Sequence, residues 1–130
     1  MLGQNDMSYI ENPSVTDIAD RYLRLIDSLS KVVPDADFII LTNTPKLDST
    51  WLPWYVVNKN YNNELISSFV DAIKEMCQEN DIAYLDTHDL MKDSNNALPN
   101  EYCTDGYAHL NNAGAKILVD ALYEFAAGKE

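Results

Sequence analysis

Positive charge is scarce in this chain: nine lysines and arginines stand against 21 aspartates and glutamates, a formal net charge of −12 over 130 residues. Nucleic acids and anionic membrane surfaces are bound through basic footprints, so neither is an expected partner. Long apolar runs are missing too. None approaches the roughly 18 residues of a membrane span, so no spanning segment is expected. Met1 leads into Leu2-Gly3-Gln4-Asn5-Asp6 without a basic segment, so a secretory leader is not expected there. A soluble chain follows, with cytoplasm and exterior both open. Two cysteines, Cys77 and Cys103, are too few for a disulfide framework. Cys77 falls on the apolar side of a predicted helix and reads as a small buried hydrophobe. Cys103 precedes Asp105 by two positions; that acidic neighbourhood disfavours a thiolate nucleophile.

What is present suits one globular domain over residues 1–130, with 46% apolar and 23% charged residues. Repeats, low-complexity tracts and linkers are absent. Leu2-Gly3-Gln4-Asn5-Asp6 reads as the turn that follows a strand. Asn12-Pro13 predicts a helix start, with Val15, Ile18, Ala19, Tyr22, Leu25, Ile26, Leu29 and Val33 on one apolar face and Pro34 as the stop. Phe38-Ile39-Ile40-Leu41 predicts a strand buried on both faces. A connection from Lys46 to Tyr61 holds Trp51, Trp54 and Tyr55. Asn62 or Asn63 caps the next helix, with Leu65, Ile66, Phe69, Val70, Ile73, Met76 and Cys77 inward. Ile82-Ala83-Tyr84-Leu85 is a second strand, closing on a turn at Asp86-Thr87-His88-Asp89. Asn111 or Asn112 caps the last helix, with Ile117, Leu118, Ala121, Leu122 and Phe125 inward. Strands alternating with helices predict right-handed βαβ units in a parallel sheet covered on both faces. Chemistry in such sheets gathers outside the carboxyl ends of the strands.

One loop there carries reactive groups. In Cys103-Thr104-Asp105-Gly106-Tyr107-Ala108-His109, the Asp-Gly pair makes a tight turn that lets the carboxylate meet the imidazole. A carboxylate so placed fixes the tautomer of a general-base histidine and stabilises its imidazolium. A plain turn ahead of a helix uses the same residues, and spacing alone does not separate the two. Asn5 could donate its side-chain amide to an oxyanion, or serve only in a turn. Asp86, His88 and Asp89 could join His109 around a divalent ion, but nothing in their spacing enforces convergence. Trp51, Trp54 and Tyr55 are either a substrate wall or anchors for their own loop.

Together, Gly3-Gln4-Asn5-Asp6 and Asp105-Gly106-Tyr107-Ala108-His109-Leu110-Asn111 resemble two blocks of the SGNH (GDSL-like) hydrolase family. The resemblance covers essentially the whole chain as that family's C-terminal portion. It implies a three-layer, flavodoxin-like parallel sheet with the N-terminal strands missing. It implies a serine esterase or acylhydrolase acting on an acyl ester, such as an O-acetyl carbohydrate or a short-chain lipid ester, without metal or organic cofactor. His109 would be the base, Asp105 its partner and Asn5 an oxyanion donor. Two departures stand out. The usual spacing is Asp-x-x-His, and here one more residue intervenes. The family's Gly-Asp-Ser block, which holds the nucleophile, has no counterpart. Ser8 lies in a turn, Ser67 and Ser68 are mid-helix, and Ser28 and Ser30 are near a helix end. The isolated chain is therefore expected to be inactive. It would be completed by another chain or a second copy at an exposed sheet edge, or kept as a non-catalytic binding or assembly module.

Overall fold

The computed structural model describes residues 1–128. In order they form helix α1 (Gln4–Tyr9), helix α2 (Val15–Val32), strand β1 (Ile39–Leu41), helix α3 (Asn63–Glu79), strand β2 (Ala83–Leu85), helix α4 (Thr87–Met91), a 3₁₀ turn (Asn100–Tyr102) and helix α5 (Asn112–Ala126). β1 and β2 pair in parallel, with Ile39 opposite Ala83 and Leu41 opposite Leu85. This is the expected α/β arrangement, reduced to a sheet of two strands among the described residues.

The long helices follow their side-chain patterns. Asn62 caps α3, its side-chain oxygen accepting from the Leu65 N–H at 2.8 Å. Ile66, Phe69, Val70, Ile73, Met76 and Cys77 then point inward. They pack with Met7 of α1, with Ile18, Ala19, Tyr22 and Ile26 of α2, and with Ile40 of β1. Each large side chain buried there stabilises the fold by about 1.5–3 kcal/mol. A smaller cluster of Leu47, Met91 and Leu98 joins α4 to α5 through Ile117 and Leu118.

Several expectations give way. Gln4-Asn5-Asp6 lies in a helix and not in a turn. Gly3, at φ 93°, is its N-cap. Only glycine takes that left-handed conformation cheaply, and a Cβ at Gly3 would sit 2.4 Å from Cζ of Phe69. α2 starts at Val15 and not at Pro13, because the Ser14 side chain accepts from the Asp17 N–H and makes the cap. Thr87–Met91 is a short helix capped by Asp86, where a turn was expected. The strand read over Phe38–Leu41 begins at Ile39, which is exposed, so β1 is not buried on both faces. Leu25, Leu29 and Val33 also stay exposed, and the inward side of α5 is only half-buried. A periodic apolar face locates the side meant for packing; burial also needs a neighbour, and here two strands supply too little.

Candidate functional site

The loop from Cys103 to Asn111 is closed at both ends before any chemistry is asked of it. Cys103 and Leu110 form an isolated antiparallel bridge. The Thr104 N–H donates to the His109 carbonyl at 2.9 Å, and the Asn111 N–H to the Tyr102 carbonyl at 2.9 Å. Asn111 caps α5 by accepting from the Gly114 N–H at 3.0 Å, and its amide donates to the Glu101 carbonyl at 2.8 Å.

Asp105 sits at the centre of this loop. Its Oδ1 accepts from the backbone N–H groups of Tyr107 at 2.9 Å, Ala108 at 3.1 Å and His109 at 3.2 Å. Its Oδ2 bonds Nδ1 of His109. Burial would raise the Asp105 carboxyl, but the His109 imidazole and the three N–H groups outweigh it and hold the carboxyl well below its usual range. The group is thus an anion and can only accept, so Nδ1 donates its N–H to it, and Nε2 is the ring nitrogen outside that bond, on an exposed side chain. The extra residue between Asp105 and His109 does not break the pair. Gly106, at φ 70°, turns the chain around Oδ1, and the carboxylate still reaches the ring.

Asn5 lies exposed on α1, its backbone carbonyl accepting from the Ser8 hydroxyl at 3.2 Å. It makes no direct contact with the Asp105–His109 pair. α1 and the loop meet instead through aromatic side chains. The buried Tyr61 ring meets the Tyr107 ring edge-on at 6.2 Å. Burial and the nearby hydroxyls of Tyr61, Tyr55 and Tyr9 push the Tyr107 phenol upward, so it stays protonated. Trp51 packs edge-on against Tyr107 at 6.1 Å, and Trp54 against Tyr55 at 5.9 Å.

Lys46 went unnoticed in the sequence, where nothing distinguishes a buried lysine from an exposed one. It is only 2% exposed. Its ammonium donates to the carbonyls of Leu47 at 2.9 Å and Ser49 at 2.6 Å, and lies 5.9 Å from the Tyr107 ring centre. Asn63 clamps its backbone from both sides, accepting from the Lys46 N–H at 2.8 Å and donating to the Lys46 carbonyl at 2.9 Å. The Leu47 N–H in turn donates to the Tyr107 carbonyl at 2.9 Å. The loop carrying Asp105 and His109 therefore rests on the segment that follows β1.

Cys103 half-faces solvent, and its thiol points at the Asp105 carboxylate at 3.4 Å rather than at the imidazole. Serine hydroxyls are engaged elsewhere: Ser28, Ser30 and Ser68 donate back to carbonyls of their own helices. Among the described residues no serine bonds His109. Asp86 is tied to Lys74 at 2.6 Å and to Thr42 at 3.1 Å, and His88 is buried within α4. Among the described residues no three His, Cys, Asp or Glu side chains converge as metal ligands.

The described chain thus joins a parallel pair of strands to an anionic aspartate bonded to a histidine, just ahead of helix α5. A profile of the GDSL-like Lipase/Acylhydrolase family matches residues 1–117, and the chain belongs to that family. Solved structures agree on the fold. One described as a platelet activating factor from Streptococcus pneumonia is 22% identical with a TM-score of 0.80, the match covering 96% of this chain and 56% of that one. An acylhydrolase structure from Bacteroides fragilis is 20% identical with a TM-score of 0.72, over 92% and 55%. A GDSL-like lipase structure from Bacteroides thetaiotaomicron is 19% identical with a TM-score of 0.64, over 86% and 54%. The chain thus spans little more than half the length of these structures. Comparison with curated proteins gives no match. No described helix is long and apolar enough to cross a membrane.

Proposed function

We infer that this chain is the base-bearing part of a serine esterase that hydrolyses acyl esters. The bond between Asp105 and His109 carries this assignment, because it leaves Nε2 outside the bond, on an exposed imidazole whose other nitrogen is tied to an anion. In the reaction, Nε2 takes the proton of a serine hydroxyl as it attacks the ester carbonyl. The imidazolium that forms is stabilised by Asp105, and it then protonates the departing alcohol. Asn5, exposed on α1, serves as an oxyanion donor once the ester is bound.

The serine comes from polypeptide outside these 130 residues, in the same chain or in a partner. Three exposed features support this. Ile39 lies on β1, Leu25 and Leu29 lie along α2, and Val119 and Tyr123 lie on α5, all apolar and uncovered. Further strands and a helix would cover them, as expected from the length of the related structures. Purified 130-residue chain is expected to turn over p-nitrophenyl acetate at background, since a serine hydrolase without its nucleophile loses about 10⁶ in kcat. The assembly that includes a Gly-Asp-Ser segment is expected to be active, and His109→Ala to abolish that activity. Robust, His109-dependent turnover by the chain alone would place the nucleophile within it. An assembly indifferent to His109→Ala would reject the esterase assignment.

A further inference from the structure

Trp51, Trp54, Tyr55 and Val57 look outward from one short segment, although other residues of that segment also anchor it. Pro53, Val56 and Asn58 are the residues that point in. The Val57 and Asn58 N–H groups donate to the Ser8 carbonyl at 3.0 and 2.9 Å, and the Asn58 amide donates to the Met7 carbonyl at 2.8 Å. Trp51 and Tyr55 add ring contacts to Tyr107 and Tyr9, whereas Trp54, 92% exposed, touches only its neighbour Tyr55 among the rings. The same bonds fasten the loop to the end of α1, where Tyr9 and Ile10 are also exposed. Tyr9 stacks obliquely on Tyr55 at 6.2 Å, so the two elements share one apolar face. That face runs through Trp51 onto Tyr107, beside the Asp105–His109 pair.

We propose that this aromatic face docks the protein onto an electrically neutral lipid surface. Contiguous exposed apolar patches mark interaction sites. Trp and Tyr are the side chains whose rings enter the acyl boundary while their N–H and O–H stay at the headgroups. Charge selects the kind of lipid. Residues 51–57 and 9–10 carry no charged side chain, while the chain as a whole carries −12. An anionic surface would repel it, and a zwitterionic one would not. Docking stands independently of the catalytic assignment. That the ester lies in the lipid surface rests on that assignment.

The test is flotation of the 130-residue chain with phosphatidylcholine vesicles, read together with the tryptophan emission maximum. Association with a blue shift, insensitive to salt and weaker on phosphatidylglycerol vesicles, is the expected result. His109→Ala should bind equally well, which separates docking from catalysis. Trp54→Ala and Tyr55→Ala should each weaken partitioning roughly tenfold, with circular dichroism unchanged. Tyr123→Ala, also exposed but on α5, should not. No association, binding confined to anionic vesicles, a dimer that Trp54→Ala dissociates, or a response only to an oligosaccharide would each overturn the proposal.

Discussion

Replacing Gly3 with alanine should cost far more than replacing Gly106, although both glycines have positive φ. Gly3 is at φ 93° and Gly106 at φ 70°. Either alanine would be strained by about 1–2 kcal/mol. Part of that is offset, by about 0.4–1 kcal/mol, because alanine narrows the unfolded ensemble. At Gly106 nothing lies within 4 Å of the new Cβ, so the net loss stays near 1 kcal/mol. At Gly3 the Cβ would lie 2.4 Å from Cζ and 2.6 Å from Cε1 of Phe69, and 3.4 Å from Cγ2 of Ile18. Phe69, on α3, is fully buried in the core with Ile18 and Met7. Overpacking of this kind adds about 1–3 kcal/mol, so Gly3→Ala should lose roughly 2–4 kcal/mol in all. Equilibrium urea denaturation followed by far-ultraviolet dichroism gives the numbers, with an unchanged m-value as the check that compactness is preserved. A cycle with Phe69→Leu isolates the clash, because leucine removes the two ring atoms that the new methyl meets. The double variant should recover about 1–3 kcal/mol relative to the sum of the singles. Gly3→Ala behaving like Gly106→Ala, or a cycle that closes with no coupling, would refute the reasoning.

Other perturbations test the support of the candidate site. Lys46→Ala should destabilise the fold by about 2–3 kcal/mol, measured by thermal unfolding, since it leaves two carbonyls without their donor. Lys46→Met, which keeps the stem, should show how much of that loss belongs to the ammonium. Asn111→Ala removes both the α5 cap and the tie to Glu101, and should cost about 1–2 kcal/mol. It should also raise amide exchange at residues 104–109. The Asp105 carboxyl is held below its ordinary value of 3.8, so its contribution is complete above that pH and is lost as the pH falls through the lower folded value. The stability gap between wild type and Asp105→Asn should therefore be flat at neutral pH and close only in strong acid. His88 is lowered below 6.5 by burial, so the unfolded chain takes up the proton first and stability declines as the pH drops below that value. His88→Gln should flatten that decline in a pH series of urea midpoints.

Periodicity and motif spacing were enough for the class of this protein. Strands read over Phe38–Leu41 and Ile82–Leu85, alternating with capped helices, implied a parallel α/β sheet, and strands at Ile39–Leu41 and Ala83–Leu85 pair in parallel. Local sequence also determined the meeting of Asp105 and His109, because a glycine turn closes it over four residues without help from the rest of the fold. Contacts remote in sequence were a different matter. Nothing in the string marks Lys46 as buried beneath Tyr107, Asn63 as its clamp, or Tyr61 as the ring on which Tyr107 packs. The helical state of Gln4-Asn5-Asp6 depended on Gly3 lying against Phe69, 66 positions away. The same limit governed the tryptophans. Aromatics in a connecting segment read first as anchors for it, and only the fold revealed that Pro53, Val56 and Asn58 face inward and release Trp54 to solvent. Sequence specifies which face of a segment is apolar and which turn closes locally; whether that face finds a neighbour is decided only when the whole chain packs.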